Sequence, residues 1–88
     1  LAWTIELSAS AEKTLAKLAR MVAKRIVRFL YERVAPLEDP RSIGTSLEGK
    51  LHMYWKYRVG DYRLFAVIEE GRVLINIVAI NHRSQAYR

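Results

Sequence analysis

Three strand-length segments occupy residues 53–80, and the turns between them constrain this chain more than any other feature. Gly60-Asp61 separates segment 53–59 from 62–69, and Glu70-Gly71 separates 62–69 from 72–80. Glycine beside an acidic residue suits a two-residue hairpin loop, and such a loop fixes which residues face each other. The first turn then pairs Val59 with Tyr62, Arg58 with Arg63, Tyr57 with Leu64 and Lys56 with Phe65. The second pairs Glu69 with Arg72, an ion pair, and Ile68 with Val73, and continues to Arg63 with Val78.

Strand alternation sorts these side chains onto two faces. One carries Trp55, Tyr57, Val59, Tyr62, Leu64, Ala66, Ile68, Val73, Ile75, Ile77 and Ala79. It is almost wholly apolar and is expected to pack on helices. The other carries Tyr54, Lys56, Arg58, Arg63, Phe65, Val67, Leu74, Asn76, Val78 and Ile80, a cationic cluster among apolar residues. Arg58 directly opposite Arg63 is unfavourable in a sheet. Water and salt keep the cost modest. It becomes a gain where a phosphate sits between them, because guanidinium groups grip phosphate oxygens in pairs. The competing reading is a solvated charged face with Glu48 or Asp61 folded over it.

Upstream, residues 3–7 alternate as a short strand, and Ser8 or Ser10 can cap a following helix with Glu12 in its first turn. From Ala11 to Val34 apolar residues recur at spacings of three and four. One unbroken helix over that span would be about 36 Å long. A compact domain of this size has a radius of gyration near 12 Å, roughly. The spacing therefore predicts a break near Arg20–Met21 and two antiparallel helices. Pro36, Pro40 and Gly44 mark residues 35–49 as a loop. Trp3 and Trp55 are expected in the core.

The chain has 88 residues, of which 51% are hydrophobic, and reads as one domain spanning 1–88. No apolar run approaches the roughly 20 residues that span a bilayer, and there is no signal-peptide pattern. With no cysteine, the chain fits a reducing, cytoplasmic setting. The two histidines make a poor metal site, the carboxylates are not paired for acid–base work, and no cofactor is expected. A net charge of +6 and a pI near 10.0 point to an anionic partner. Lys13, Lys17, Arg20, Lys24, Arg25 and Arg28 add a basic helical surface, suited to salt-sensitive docking on RNA.

Were the phosphate gripped by the cationic cluster part of an RNA chain, cleaving it without a metal would need a proton acceptor for the 2′-hydroxyl, cations for the phosphorane and a donor for the leaving oxygen. A lysine among cationic neighbours can be the acceptor, and Lys56 has Arg58 and Arg63 beside it. His82 is an alternative acid or base. His52 reads as a loop residue.

The stretch LEGKLHMYWKYRVGDYRLFAVIEEGRVLINIVAINHRSQAYR resembles the C-terminal half of RelE-type toxins of toxin–antitoxin systems. ASAEKTLAKL resembles that family's first helix and ERVAPLEDPRSIG its loop, so the likeness covers nearly the whole chain. YRVGDYR is shared with the wider superfamily that includes ParE-type toxins. The resemblance implies an α+β fold: an N-terminal strand, a helical hairpin, then a three-stranded antiparallel meander, forming one sheet with the helices on one face. It implies an endoribonuclease that cuts messenger RNA in the ribosomal A site without metal or cofactor, silenced by an acidic antitoxin in a hetero-oligomer. Its cleavage residues fall on Lys56 as base or charge stabiliser, Arg63 as phosphate clamp, Arg83 as acid towards the leaving oxygen, and Tyr87 as nucleotide-orienting ring. Arg58 matches a further basic position, and Tyr54 and Lys50 join it as RNA-binding candidates. Tyr54 stands where the family pattern has a second lysine, and Asn81 where it has a glycine. Two other readings are a ParE-like inhibitor of DNA gyrase and a non-enzymatic RNA-binding module.

Overall fold

A computed structural model describes residues 2–85. Five strands form one sheet: β1 (Thr4–Leu7), β2 (Thr45–Ser46), β3 (Tyr54–Val59), β4 (Tyr62–Glu69) and β5 (Leu74–His82). Their order is β1-β5-β4-β3-β2, with β1 parallel to β5 and the other pairs antiparallel. Two helices, α1 (Ala9–Lys17) and α2 (Arg20–Phe29), follow β1. The meander and the N-terminal strand are as the sequence predicts. The short β2 is an addition, recruited from the expected loop to cover the outer edge of β3.

Ser8 caps α1 by accepting the Ala11 amide at 3.0 Å. The helical run breaks at Leu18 and Ala19, whose ψ angles of 155° and 141° are not helical, so α2 begins at Arg20, close to the expected break. Leu15, Leu18 and Val22 all pack against the core across this break. After Phe29 the chain winds through one wider turn, Leu30–Val34, closed by the Ala35 amide on the Leu30 carbonyl at 2.8 Å. That turn buries both Leu30 and Val34, and Pro36 ends it.

The core lies between the helices and one sheet face, where Ile26, Leu30 and Val34 meet Tyr57, Leu64, Ile75 and Ile77. α1 lies against β5 and β1, and α2 against β3. Tyr57 is pinned twice. Its ring meets Phe29 edge-on at 6.1 Å, and its hydroxyl donates to the Pro40 carbonyl at 2.5 Å. Trp3 is half-buried against the core as expected. Trp55 is half-buried too, but outside that cluster, with the Arg41 guanidinium 5.9 Å from its ring centre.

The first hairpin has the predicted register, Arg58 opposite Arg63 and Lys56 opposite Phe65. The second does not. Glu69 faces Leu74, not Arg72, so the loop holds residues 70–73 and the strand begins at Leu74 rather than 72. The left-handed position of this loop (φ 50°) is taken by Val73 and not by Gly71, which is why the glycine misplaced the turn. The expected ion pair still forms, Arg72 to Glu69 at 3.2 Å, across the turn instead of across strands.

A bulge adds one more shift. Phe65 faces Ala79 while Ala66 faces Ile77, which leaves Val78 out of the ladder. The Val78 carbonyl is met by the Ser8 hydroxyl at 2.8 Å. Beyond the bulge the faces exchange: Ile80 turns into the core and Ala79 turns out, the reverse of strict alternation. Burying isoleucine in place of alanine removes more apolar surface from water, worth about 0.8 kcal/mol per methylene. The two shifts together put Asn81, not Val78, opposite Arg63 and His82 opposite Tyr62.

Candidate active site

The β3–β4 hairpin turns on Gly60, whose φ of 58° favours glycine. A side chain there would also come within 2.9 Å of the Arg25 guanidinium, so helix α2 sits tight against the turn. This close seat holds the ends of β3 and β4 at one corner of the sheet. Because of the bulge, the chain leaving β5 arrives at the same corner. The Arg83 amide donates to the Asp61 carbonyl at 2.7 Å, and its guanidinium stands 3.6 Å from the Asp61 carboxylate.

Arg58, Arg63 and Arg83 thereby line one concave pocket of about 180 Å³, together with Gly60, Asp61 and Tyr62. The Nε of Arg63 is buried and, among the described residues, has no hydrogen-bond partner. An orphaned buried donor costs about 1–3 kcal/mol, more for a charged group. Among the described residues no carboxylate pairs with Arg58 or Arg63. Asp61, which the sequence offered only as a shield over the cluster, instead anchors Arg83. Glu48 makes no ion pair in the site.

Lys56 shares the face of Arg58 and Arg63, half-buried between Thr45 of β2 and Phe65 of β4. It lies two residues along β3 from Arg58, about 7 Å at strand spacing, and outside the arginine pocket itself. Tyr54, two residues further, lines a separate apolar hollow with Leu47, Leu51, Phe65 and Val78. Lys50 is exposed in the turn Gly49–Leu51. Tyr87 lies outside the described residues.

His82 stands apart. It faces Tyr62, whose ring it meets edge-on at 5.1 Å, and Tyr62 packs on the helix side of the sheet, opposite Arg63. His82 does not line the arginine pocket. Its Nδ1 lies 3.1 Å from the Ser84 amide nitrogen, which donates to it, and 2.8 Å from the Ser84 hydroxyl. Its own amide donates to Gln85 Oε1 at 2.8 Å. His52 is an exposed loop residue, its Nδ1 3.2 Å from the Gly49 carbonyl.

A second concavity, about 650 Å³, runs along α2 to the hairpin. Lys24, Arg25, Arg28 and Arg33 line it with Glu32, which pairs with Arg28, and with Phe29 and the exposed Met21, while Arg58 and Gly60 belong to both this groove and the arginine pocket. Of the basic helical residues singled out in the sequence, Lys24, Arg25 and Arg28 belong to the groove, while Lys13, Lys17 and Arg20 do not. Among the described residues no three His, Asp or Glu side chains are placed to hold a metal ion, and no helix is long and apolar enough to cross a membrane.

Known proteins share both the sequence pattern and this architecture. The family of ParE toxins of type II toxin–antitoxin systems (parDE) matches residues 5–87. Toxin RelE of Mycobacterium tuberculosis is 30% identical over 84 residues, 96% of this chain and 84% of its own. Toxin RelG of the same organism is 26% identical, covering 98% of this chain and 97% of its own. In structure, the chain superposes on the RelBE2 toxin–antitoxin complex of M. tuberculosis with a TM-score of 0.85 at 24% identity, over 96% of this chain and 94% of that one. The isolated E. coli RelE toxin gives 0.74 at 22% identity, over 99% and 87%. Sequence match along nearly its whole length and a shared fold thus place this chain in the RelE/ParE family of toxins of type II toxin–antitoxin systems.

Proposed function

We propose that this toxin is a ribosome-dependent endoribonuclease that cuts messenger RNA in the A site, without a metal ion. The observation that carries the reading is the pocket of Arg58, Arg63 and Arg83, with a buried Arg63 donor that has no acceptor among the described residues. Three permanent cations beside a single carboxylate, Asp61, which meets Arg83 alone, fit an anion that comes and goes. A phosphate group supplies both the negative charge and the acceptor oxygens.

In the proposed reaction the ribose 2′-oxygen bonds to the adjacent phosphorus and the bond from phosphorus to the 5′-oxygen breaks. The products are a 2′,3′-cyclic phosphate and a 5′-hydroxyl. Arg63 and Arg58 hold the non-bridging oxygens and meet the charge that grows in the phosphorane. Lys56, on the same face one pleat away, takes the 2′ proton or adds positive charge there. Arg83, on the Asp61 side of the pocket, donates to the departing 5′-oxygen. Tyr87 orients the nucleotide, and Tyr54 and Lys50 flank the path of the strand. His82 is left outside the proton transfers, because its ring is on the other side of the sheet.

The basic groove along α2 supports contact with an anionic partner, either ribosomal RNA or the acidic antitoxin. Several structural relatives are toxins solved with their antitoxins, among them the intact E. coli RelBE complex and the Pyrococcus horikoshii RelE–RelB complex. By that likeness we assign this toxin a cognate antitoxin.

The family match to ParE toxins supports a second reading, inhibition of DNA gyrase with no RNA cleaved. Primer extension on messenger RNA from translating ribosomes separates the two. Cuts confined to the A-site codon, at least about tenfold weaker with Arg63→Ala or Arg83→Ala, are the expected result. Intact message with inhibited supercoiling would overturn the nuclease reading in favour of the second.

A further inference from the structure

Arg83 is the only one of the three pocket arginines that does not stand on a strand. It follows β5 in the turn Arg83–Gln85, so something outside the sheet ladder must hold it. Two hydrogen bonds close that turn. The His82 side chain accepts from the Ser84 amide at 3.1 Å, and the Gln85 side chain accepts from the His82 amide at 2.8 Å. This is a variant of the capping box: Gln85, three residues on, returns to the amide of the residue before the turn, while that residue's own side chain caps the amide two residues on. Here histidine stands in the place usually taken by serine or threonine, with glutamine in its usual place.

The imidazole can play that part in one form only. A backbone amide can only donate, so Nδ1 must present its lone pair to Ser84 and the ring proton must sit on Nε2. Tyr62, edge-on to the ring at 5.1 Å, fixes its plane from the other side. The box therefore sets the direction in which the chain leaves β5, and Asp61 receives Arg83 at the far end of that path.

We propose that His82 and Gln85 are positioning residues, closing a capping box that holds the Arg83 guanidinium in the phosphate pocket. The proposal rests on the reading that this pocket grips phosphate. It predicts that the two residues act through Arg83 and through hydrogen-bond acceptance, not through proton transfer.

The test uses the full-length toxin labelled with ¹⁵N. Imidazole nitrogen shifts are expected to report the Nε2–H tautomer for His82, with a Ser84 amide that exchanges slowly. An Nδ1–H tautomer would overturn the proposal. Inorganic phosphate is then titrated against the arginine signals. His82→Ala and Gln85→Ala are expected to weaken phosphate binding about tenfold. His82→Asn, which keeps an acceptor at the Nδ1 position, and Gln85→Glu, which keeps one at Oε1, should remain within about twofold of wild type. In an Arg83→Ala background, His82→Ala should have no further effect, since residues acting as one unit are not additive. Loss with His82→Asn as large as with His82→Ala, or a loss that persists without Arg83, would show that His82 acts on its own and would sink the idea. A wild-type protein indifferent to phosphate defeats the pocket reading instead, while the tautomer and the Ser84 exchange rate still decide the box.

Discussion

Arg63→Met separates what this residue does for the site from what it does for the fold. Methionine keeps most of the alkyl stem, and removes the charge and the Nε donor. Arg63 directly faces Arg58, and like charges so placed oppose the sheet by about 0.2–1 kcal/mol. Its buried Nε lacks a partner among the described residues, at about 1–3 kcal/mol. Deleting both should stabilise the free toxin by about 1–4 kcal/mol. At about 4–8 °C per kcal/mol for a domain of this size, the melting temperature rises by at least about 4 °C. Differential scanning calorimetry in low-salt, phosphate-free buffer measures it. Adding inorganic phosphate should raise the wild-type melting temperature, by about 1.4 kcal/mol of stability at ten times the dissociation constant, and leave the variant unchanged. The variant should cleave at least about tenfold more slowly. A melting temperature below that of wild type, or phosphate stabilising both proteins alike, would refute the reasoning.

Ser8 caps α1 and also holds the bulge carbonyl of Val78, so Ser8→Ala should cost about 2–3 kcal/mol, more than a cap alone, read as a lower urea midpoint. Gly60→Ala forces alanine into a left-handed turn and against Arg25, and should lower stability by about 1–2 kcal/mol in the same assay. Burial pushes the Tyr57 hydroxyl up from 10.0 to about 12, with Arg41 pulling it down and Asp39 adding to the rise. The folded state thus holds this proton more tightly than the unfolded chain, so its contribution is whole below pH 10 and is lost as the pH climbs to about 12. The loss amounts to about 3 kcal/mol. Urea midpoints measured between those pH values should fall more steeply for wild type than for Tyr57→Phe, and parallel slopes would contradict the assignment.

What a reader can take from the residues alone is whatever short-range rules decide. Gly60-Asp61 dictated the first hairpin because glycine supplies the left-handed turn at no steric cost, and the rung that opposes Arg58 and Arg63 followed from it. Alternation around Tyr57 and Val59 chose the buried face, since one pleat in two must leave water. The serines at 8 and 10 announced the start of α1 by the chemistry of a cap, and the structure gives that part to Ser8. The second hairpin escaped because the left-handed position went to Val73, against local preference, and because a bulge carries no mark of its own in a run such as LINIVAINH. The bulge is held by Ser8, 70 residues away, and it exists because Ile80 gains more from the core than Ala79 would. That long-range choice shifts the end of β5 by one residue and delivers Arg83 to Asp61. Two of the three pocket arginines were therefore legible from a local turn, and the third was brought to them only when the whole sheet closed over its core.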